Sequence, residues 1–280
     1  MMMKIRKLVL LFALGLMISA SLSIVQASEE TSTGTKGSPP TRTGKLYLPS
    51  NDRMADLAAG IEAARKSNRL LLVMMGANWC HDSRALASRI HKEPLSTLIN
   101  EHFETLFVDV GYLEHGKDVI SSLGIPIYYA TPTVLIINPD NGEVINLDNR
   151  HLWAEAASLS MEDSVDYFQL FTNTDLSSLQ SPPEPDENLS KLLVEIDSFE
   201  QEQADRLYLA YAVLSPMLHA YKEGNKDAFS QETWDEVRDF RYQVSADVDR
   251  LRAEARERVD AGETDIQLDY PEYPAFSWDS

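Results

Sequence analysis

Disulfide pairing is the first thing this chain lacks: 280 residues contain a single cysteine. An internal disulfide is therefore excluded, and stability has to come from a packed core. Positive charge is also scarce, with 25 lysines and arginines against 44 acidic residues and a net charge of −19. Such a balance excludes nucleic acid and anionic membrane surfaces as partners, because both would be repelled. No internal repeat is visible. No histidines and cysteines fall at metal-ligand spacing, since Cys80 and His81 are adjacent and no second cysteine exists. No metal and no cofactor are expected. Beyond the extreme N-terminus, no apolar run approaches the ~20 residues that a membrane helix needs.

The N-terminal run has the features of an address. Lys4, Arg6 and Lys7 precede an apolar stretch from Leu8 to Ile18, and small residues lead to Val25-Gln26-Ala27 before Ser28. This pattern suits a signal peptide over 1–27, cleaved after Ala27. It predicts an exported protein, located in a bacterial periplasm, with no membrane span once the signal is removed. Residues 28–44, rich in Ser, Thr, Gly and Pro, are expected to be a flexible leader.

From Asp52 onward, Met54, Leu57, Ala58 and Ile61 recur at helical spacing. LLLVMM (70–75) is a short continuous apolar run, as in a strand buried on both faces. GANWCHDS (76–83) follows directly and opens a helix to about His91. EPLSTLINEH suggests another helix, FETLFVDV (103–110) a strand, and 115–123 a short helix. PTVLIINPDNGEVINL predicts two strands joined at Asp140-Asn141-Gly142, because Asn-Gly tolerates positive φ. Ser160 with Asp163 marks a helix start before VDYFQLF.

A prolyl linker is expected at 173–187. In the helical extension beyond it (188–262), Leu207, Tyr211, Leu214, Leu218 and Tyr221 form one apolar stripe. Gly224 is a candidate C-cap, and Pro216 is expected to kink this helix. Ser230 caps a second helix carrying Trp234, Val237, Phe240, Val244, Val248 and Leu251. Neither stripe is buried alone, so the two helices should form an antiparallel hairpin packed on the preceding domain. The acidic aromatic tail, 263–280, is too prolyl for a helix and should lie along a surface.

Residues 45–172 resemble the thioredoxin superfamily. Three features carry the resemblance: a buried strand running into Trp79-Cys80-His81-Asp82-Ser83 at a helix start, Thr131-Pro132 just before strand TVLII, and the terminal hairpin and helix. The resemblance implies an α/β, thioredoxin-like fold, a central mixed sheet flanked by helices, to which the C-terminal α-helical hairpin extension is added. It also implies that Cys80 is the nucleophile and that Pro132, in cis, shapes a groove where the Thr131 backbone pairs with an extended chain. Trp79 borders that groove. A thiol at a helix N-terminus faces unpaired backbone N–H groups and the positive end of the dipole, surroundings that favour thiolate.

Two departures limit the chemistry. Ser83 stands where a resolving cysteine would be, so no disulfide closes within the motif, although its hydroxyl is placed to donate to the sulfur. Met74 occupies the position of the family's buried aspartate. Monothiol exchange through Cys80 is the expected activity, with the partner an exported client protein or a small thiol such as glutathione. The alternative is a non-catalytic binding module or chaperone-like adaptor on the same scaffold. A third reading is peroxide reduction through a sulfenic acid at Cys80.

Overall fold

The seven residues of β1 (Leu70–Gly76) are all buried, as a continuous apolar run requires of a central strand. The computed structural model describes residues 46–172 and 187–279. The expected signal peptide, the leader and 173–186 of the expected linker lie outside the described residues. A parallel strand, β2 (Phe103–Asp109), flanks β1 in the register Leu70↔Phe103. On the other side lies β3 (Thr133–Ile137), antiparallel in the register Leu71↔Ile137. The sheet order is β2-β1-β3.

Successive β1 side chains point to opposite faces. Leu71, Val73 and Met75 enter one core with Leu57 and Ala64 of α1 (Arg53–Ser67), and with Val119 and Ile120 of α4 (Lys117–Ser122). Leu70, Leu72 and Met74 enter the other, against Leu86 of α2 (His81–Arg89), Ile99 of α3 (Leu95–His102) and Phe168 of α5 (Met161–Gln169). Ser160 caps α5 in a full capping box with Asp163.

The expected second strand of the hairpin does not form. The turn itself closes, with Gly142 at φ +78° and Asn138 N–H bonded to Glu143 O at 2.9 Å. Pairing then reduces to a single bridge, Ile137 to Val144. Asn146 explains the loss. Its buried amide accepts from Ile136 N–H at 2.8 Å and donates to Val134 O at 2.9 Å. One side chain thus satisfies the β3 groups that a fourth strand would have paired. The chain is free to leave the sheet as a 3-10 segment, Leu147–Glu155.

The extension comprises α6 (Glu187–Lys222) and α7 (Gln231–Asp260), an antiparallel hairpin. α6 runs on across Pro216. Gly224, at φ +108°, ends α6, and Asn225 N–H returns to Ala220 O at 2.9 Å. Leu207, Tyr211 and Leu214 of α6 join Val244, Val248 and Leu251 of α7 in the same core as Leu71 and Val73 of β1. The hairpin is therefore a layer of the sheet domain's own core. The tail lies on it: Phe276 is buried against Phe240, and Tyr273 donates to Asp247 at 2.9 Å. No helix among the described residues is long and apolar enough to cross a membrane.

Candidate functional site

Where β1 ends, the chain turns through Ala77-Asn78-Trp79 and enters α2 with Cys80 as N-cap. Cys80 has extended backbone (φ −76°, ψ 131°), and no side chain accepts from the first turn of the helix. The sulfur therefore stands at an uncapped helix N-terminus. It lies 3.0 Å from the Thr131 carbonyl, to which the thiol donates, and the Thr131–Pro132 bond is cis. Cys80 and the Thr131-Pro132 pair are thus brought together from 51 residues apart. The thiol is only 9 % exposed, yet it lines an open cleft of about 390 Å³ with Trp79, His81 and Thr131.

Trp79 is fixed from behind. Its Nε1–H donates to Gly111 O at 2.7 Å, and its ring stacks on Tyr112, which stacks in turn on His219 of α6. The Thr131 carbonyl, expected to pair with an extended chain, is occupied by the thiol in this conformation. Asp82 does not face the sulfur as a free carboxylate, because its Oδ1 accepts from Ala157 N–H at 2.9 Å.

Ser83 is fully buried, and its Oγ accepts from Ala77 N–H at 3.3 Å. No hydrogen bond joins it to the sulfur among the described residues. Beneath it lies Tyr47, 1 % exposed, whose phenol burial pushes well above its ordinary pKa. Tyr47 packs edge-on against Phe107, and its backbone N–H donates to Asn78 Oδ1 at 3.3 Å, so it floors the cysteine loop. Nothing in the run KLYLPS sets this tyrosine apart in the sequence.

Gly76 leaves the space for this arrangement. A Cβ there would come within 2.6 Å of Ser83 Oγ and 2.7 Å of Tyr47 Cζ. The tyrosine ring is buried on all sides and has nowhere to move. Gly76→Ala is expected to cost roughly 1–3 kcal/mol by overpacking, measured as a lowered urea midpoint with unchanged slope.

The extension supplies the opposite wall of the cleft, with Tyr221 and Lys222 from α6 and Trp234 and Arg241 from α7. It also holds the loop before Pro132. Tyr211 Oη donates to Tyr128 O at 3.1 Å, and Tyr129 Oη donates to the buried Glu200 at 3.0 Å. Sequence reasoning placed Tyr211, Tyr221 and Trp234 in packing stripes but missed the part of all these residues in the site, because it arises only through long-range packing.

A mixed sheet under flanking helices, a cysteine at the helix start and a cis-proline beside it define a scaffold of the thiol–disulfide oxidoreductase type. Residues 52–139 match the family model described as thioredoxin-like. Over that stretch the chain is thioredoxin-like, the likeness its motifs suggested. Among solved structures, the chain is similar to a disulphide isomerase from Xylella fastidiosa Temecula1, at 28 % identity over 46 % of this chain and 98 % of that one, with a TM-score of 0.43. No curated protein matches the chain.

Proposed function

We propose that this chain is an exported monothiol exchange protein that acts through Cys80 and is recycled by an outside thiol. The observation that carries the reading is the placement of the chain's only thiol: at the uncapped start of α2, 3.0 Å from Thr131 O, opening on a cleft. Export to a periplasm is supported by the basic and apolar N-terminal run ending at Ala27. An exported client protein or a small thiol such as glutathione is the partner.

The chemistry follows from the missing second cysteine. Cys80 first gives up the proton it shares with Thr131 O. Its thiolate then attacks one sulfur of a disulfide, forming a mixed disulfide, and the other sulfur leaves as a thiolate that takes up a proton. Ser83 cannot attack this adduct. A thiol from solution must do so, restoring Cys80 and carrying the bound sulfur away as a new disulfide. One disulfide breaks and one forms at each step, so no outside oxidant is required.

The test is the mass of the whole protein after incubation with a disulfide-bonded peptide. The expected result is one peptide adduct, absent from Cys80→Ala and discharged by reduced glutathione. Ser83→Cys supplies an internal resolving thiol, so its adduct should not accumulate and the peptide should be released reduced. A folded protein whose Cys80 stays unmodified would overturn the exchange reading. Peptide binding that survives Cys80→Ala would then favour the adaptor.

A further inference from the structure

Arg241 is the anomaly of the cleft. It is 8 % exposed, and its Nε–H is buried with no hydrogen-bond acceptor. The guanidinium makes no ion pair among the described residues; its neighbours are the Tyr211 hydroxyl and the rings of Trp234 and Tyr242, at 5.8 and 5.1 Å. A shortage of carboxylates is not the reason, since acids outnumber bases 44 to 25. One turn away, Arg238 binds both Asp235 and Asp239, at 2.5 and 2.8 Å. A buried cation without a counter-charge is costly to keep. Its planar fork matches a carboxylate in two-point contact.

Arg241 lines the same cleft as Cys80. A second cation, Lys222, lies at the mouth with its ammonium 5.8 Å from the centre of the Trp79 ring. On the facing α2 side of the cleft, Asp82 accepts from Ala157 N–H. A volume of about 390 Å³ falls in the range of small-molecule sites. We propose that Arg241, with Lys222 at the mouth, forms a carboxylate subsite that presents a low-molecular-weight, carboxylate-bearing disulfide to Cys80. This deepens the exchange reading and rests on it. Cys80 bonds to the near sulfur of that disulfide, and the far half departs as a carboxylate-bearing thiol. The extension is thereby the part of the chain that selects the substrate.

The test compares the whole protein's reaction with two aromatic disulfides, dithiobis-nitrobenzoate, which carries a carboxylate on each ring, and uncharged dithiodipyridine. The readout is the ratio of the two rate constants, anionic over neutral. It should fall about tenfold in Arg241→Met, the loss expected for one charge-assisted contact, and by about two- to threefold in the exposed variant Lys222→Met. Arg241→Lys, which keeps the charge in case the methionine variant does not fold, should retain a ratio between the two. An unchanged ratio in the folded Arg241 variants overturns the subsite.

Failure of the exchange reading looks different: Cys80 of the wild type would react with neither disulfide. The subsite is then judged with S-methylglutathione, a carboxylate-bearing thioether that cannot exchange. It should protect Cys80 from uncharged iodoacetamide in the wild type and not in Arg241→Met. Absence of protection overturns the proposal.

Discussion

Trp153→Ala is expected to lower the unfolding free energy by about 3–5 kcal/mol, the range for truncating a large buried aromatic. Trp153 is fully buried; it stacks on Phe168 with ring centres 5.2 Å apart and meets Tyr167 edge-on at 5.0 Å. It anchors the segment that replaced the fourth strand. That segment is held at its far end by Arg89, whose guanidinium donates to Ala156 O and Leu159 O at 2.9 and 2.6 Å, and by Asp82 through Ala157 N–H. The tryptophan thus fixes Ala154, which lines the thiol cleft, against the helix that begins at Cys80. Urea unfolding of wild type, Trp153→Phe and Trp153→Ala should give midpoints falling in that order. Iodoacetamide should label Cys80 faster in Trp153→Ala, under conditions where it is still folded. Equal labelling would mean that the segment stabilises the core without shaping the cleft.

Local chemistry was legible in the sequence, and long-range substitution was not. LLLVMM announced a doubly covered strand because its apolar run leaves no solvent face, and Cys80, Thr131 and Pro132 stood out because their places at a helix start and before a strand match the thioredoxin pattern. The capping box at Ser160 and Asp163 is a four-residue signal and formed as expected. The fourth strand was over-predicted for a physical reason. EVINL alternates well enough to pair, but the amide of Asn146 fills the β3 groups that the strand needed. Periodicity says nothing about a side chain that imitates a backbone. Arg241 carries no signal of its own in the sequence, one arginine among the charges of the second extension helix. Its meaning depends on which neighbours find partners: Arg238 takes the nearby aspartates, and Arg241 is carried under the cleft without one.

Glu200→Ala is expected to cost about 3 kcal/mol, at the low end for breaking a buried ion pair by deleting one partner. Glu200 is 1 % exposed. One oxygen accepts from Tyr129 Oη at 3.0 Å and the other from Arg252 at 2.9 Å, and Arg252 also reaches Asp197 at 2.6 Å. Burial opposes the charge on Arg252, but the two carboxylates more than offset it, and its pKa ends above the ordinary value. The more exposed Asp197 keeps part of that compensation, which places the cost at the lower end. Glu200→Gln retains an acceptor for Tyr129 while removing the charge, so its cost should be smaller. A double-mutant cycle of Glu200→Ala with Arg252→Ala should show a coupling of about 1–3 kcal/mol. The consequence for the site runs through Tyr129, two residues before Thr131. Without Glu200 the phenol loses its anchor on α6, the loop that sets the Thr131 carbonyl against the sulfur is less constrained, and Cys80 should label faster with iodoacetamide. A stability loss of this size with unaltered labelling would show that Tyr211 alone, through Tyr128 O, is enough to hold the loop.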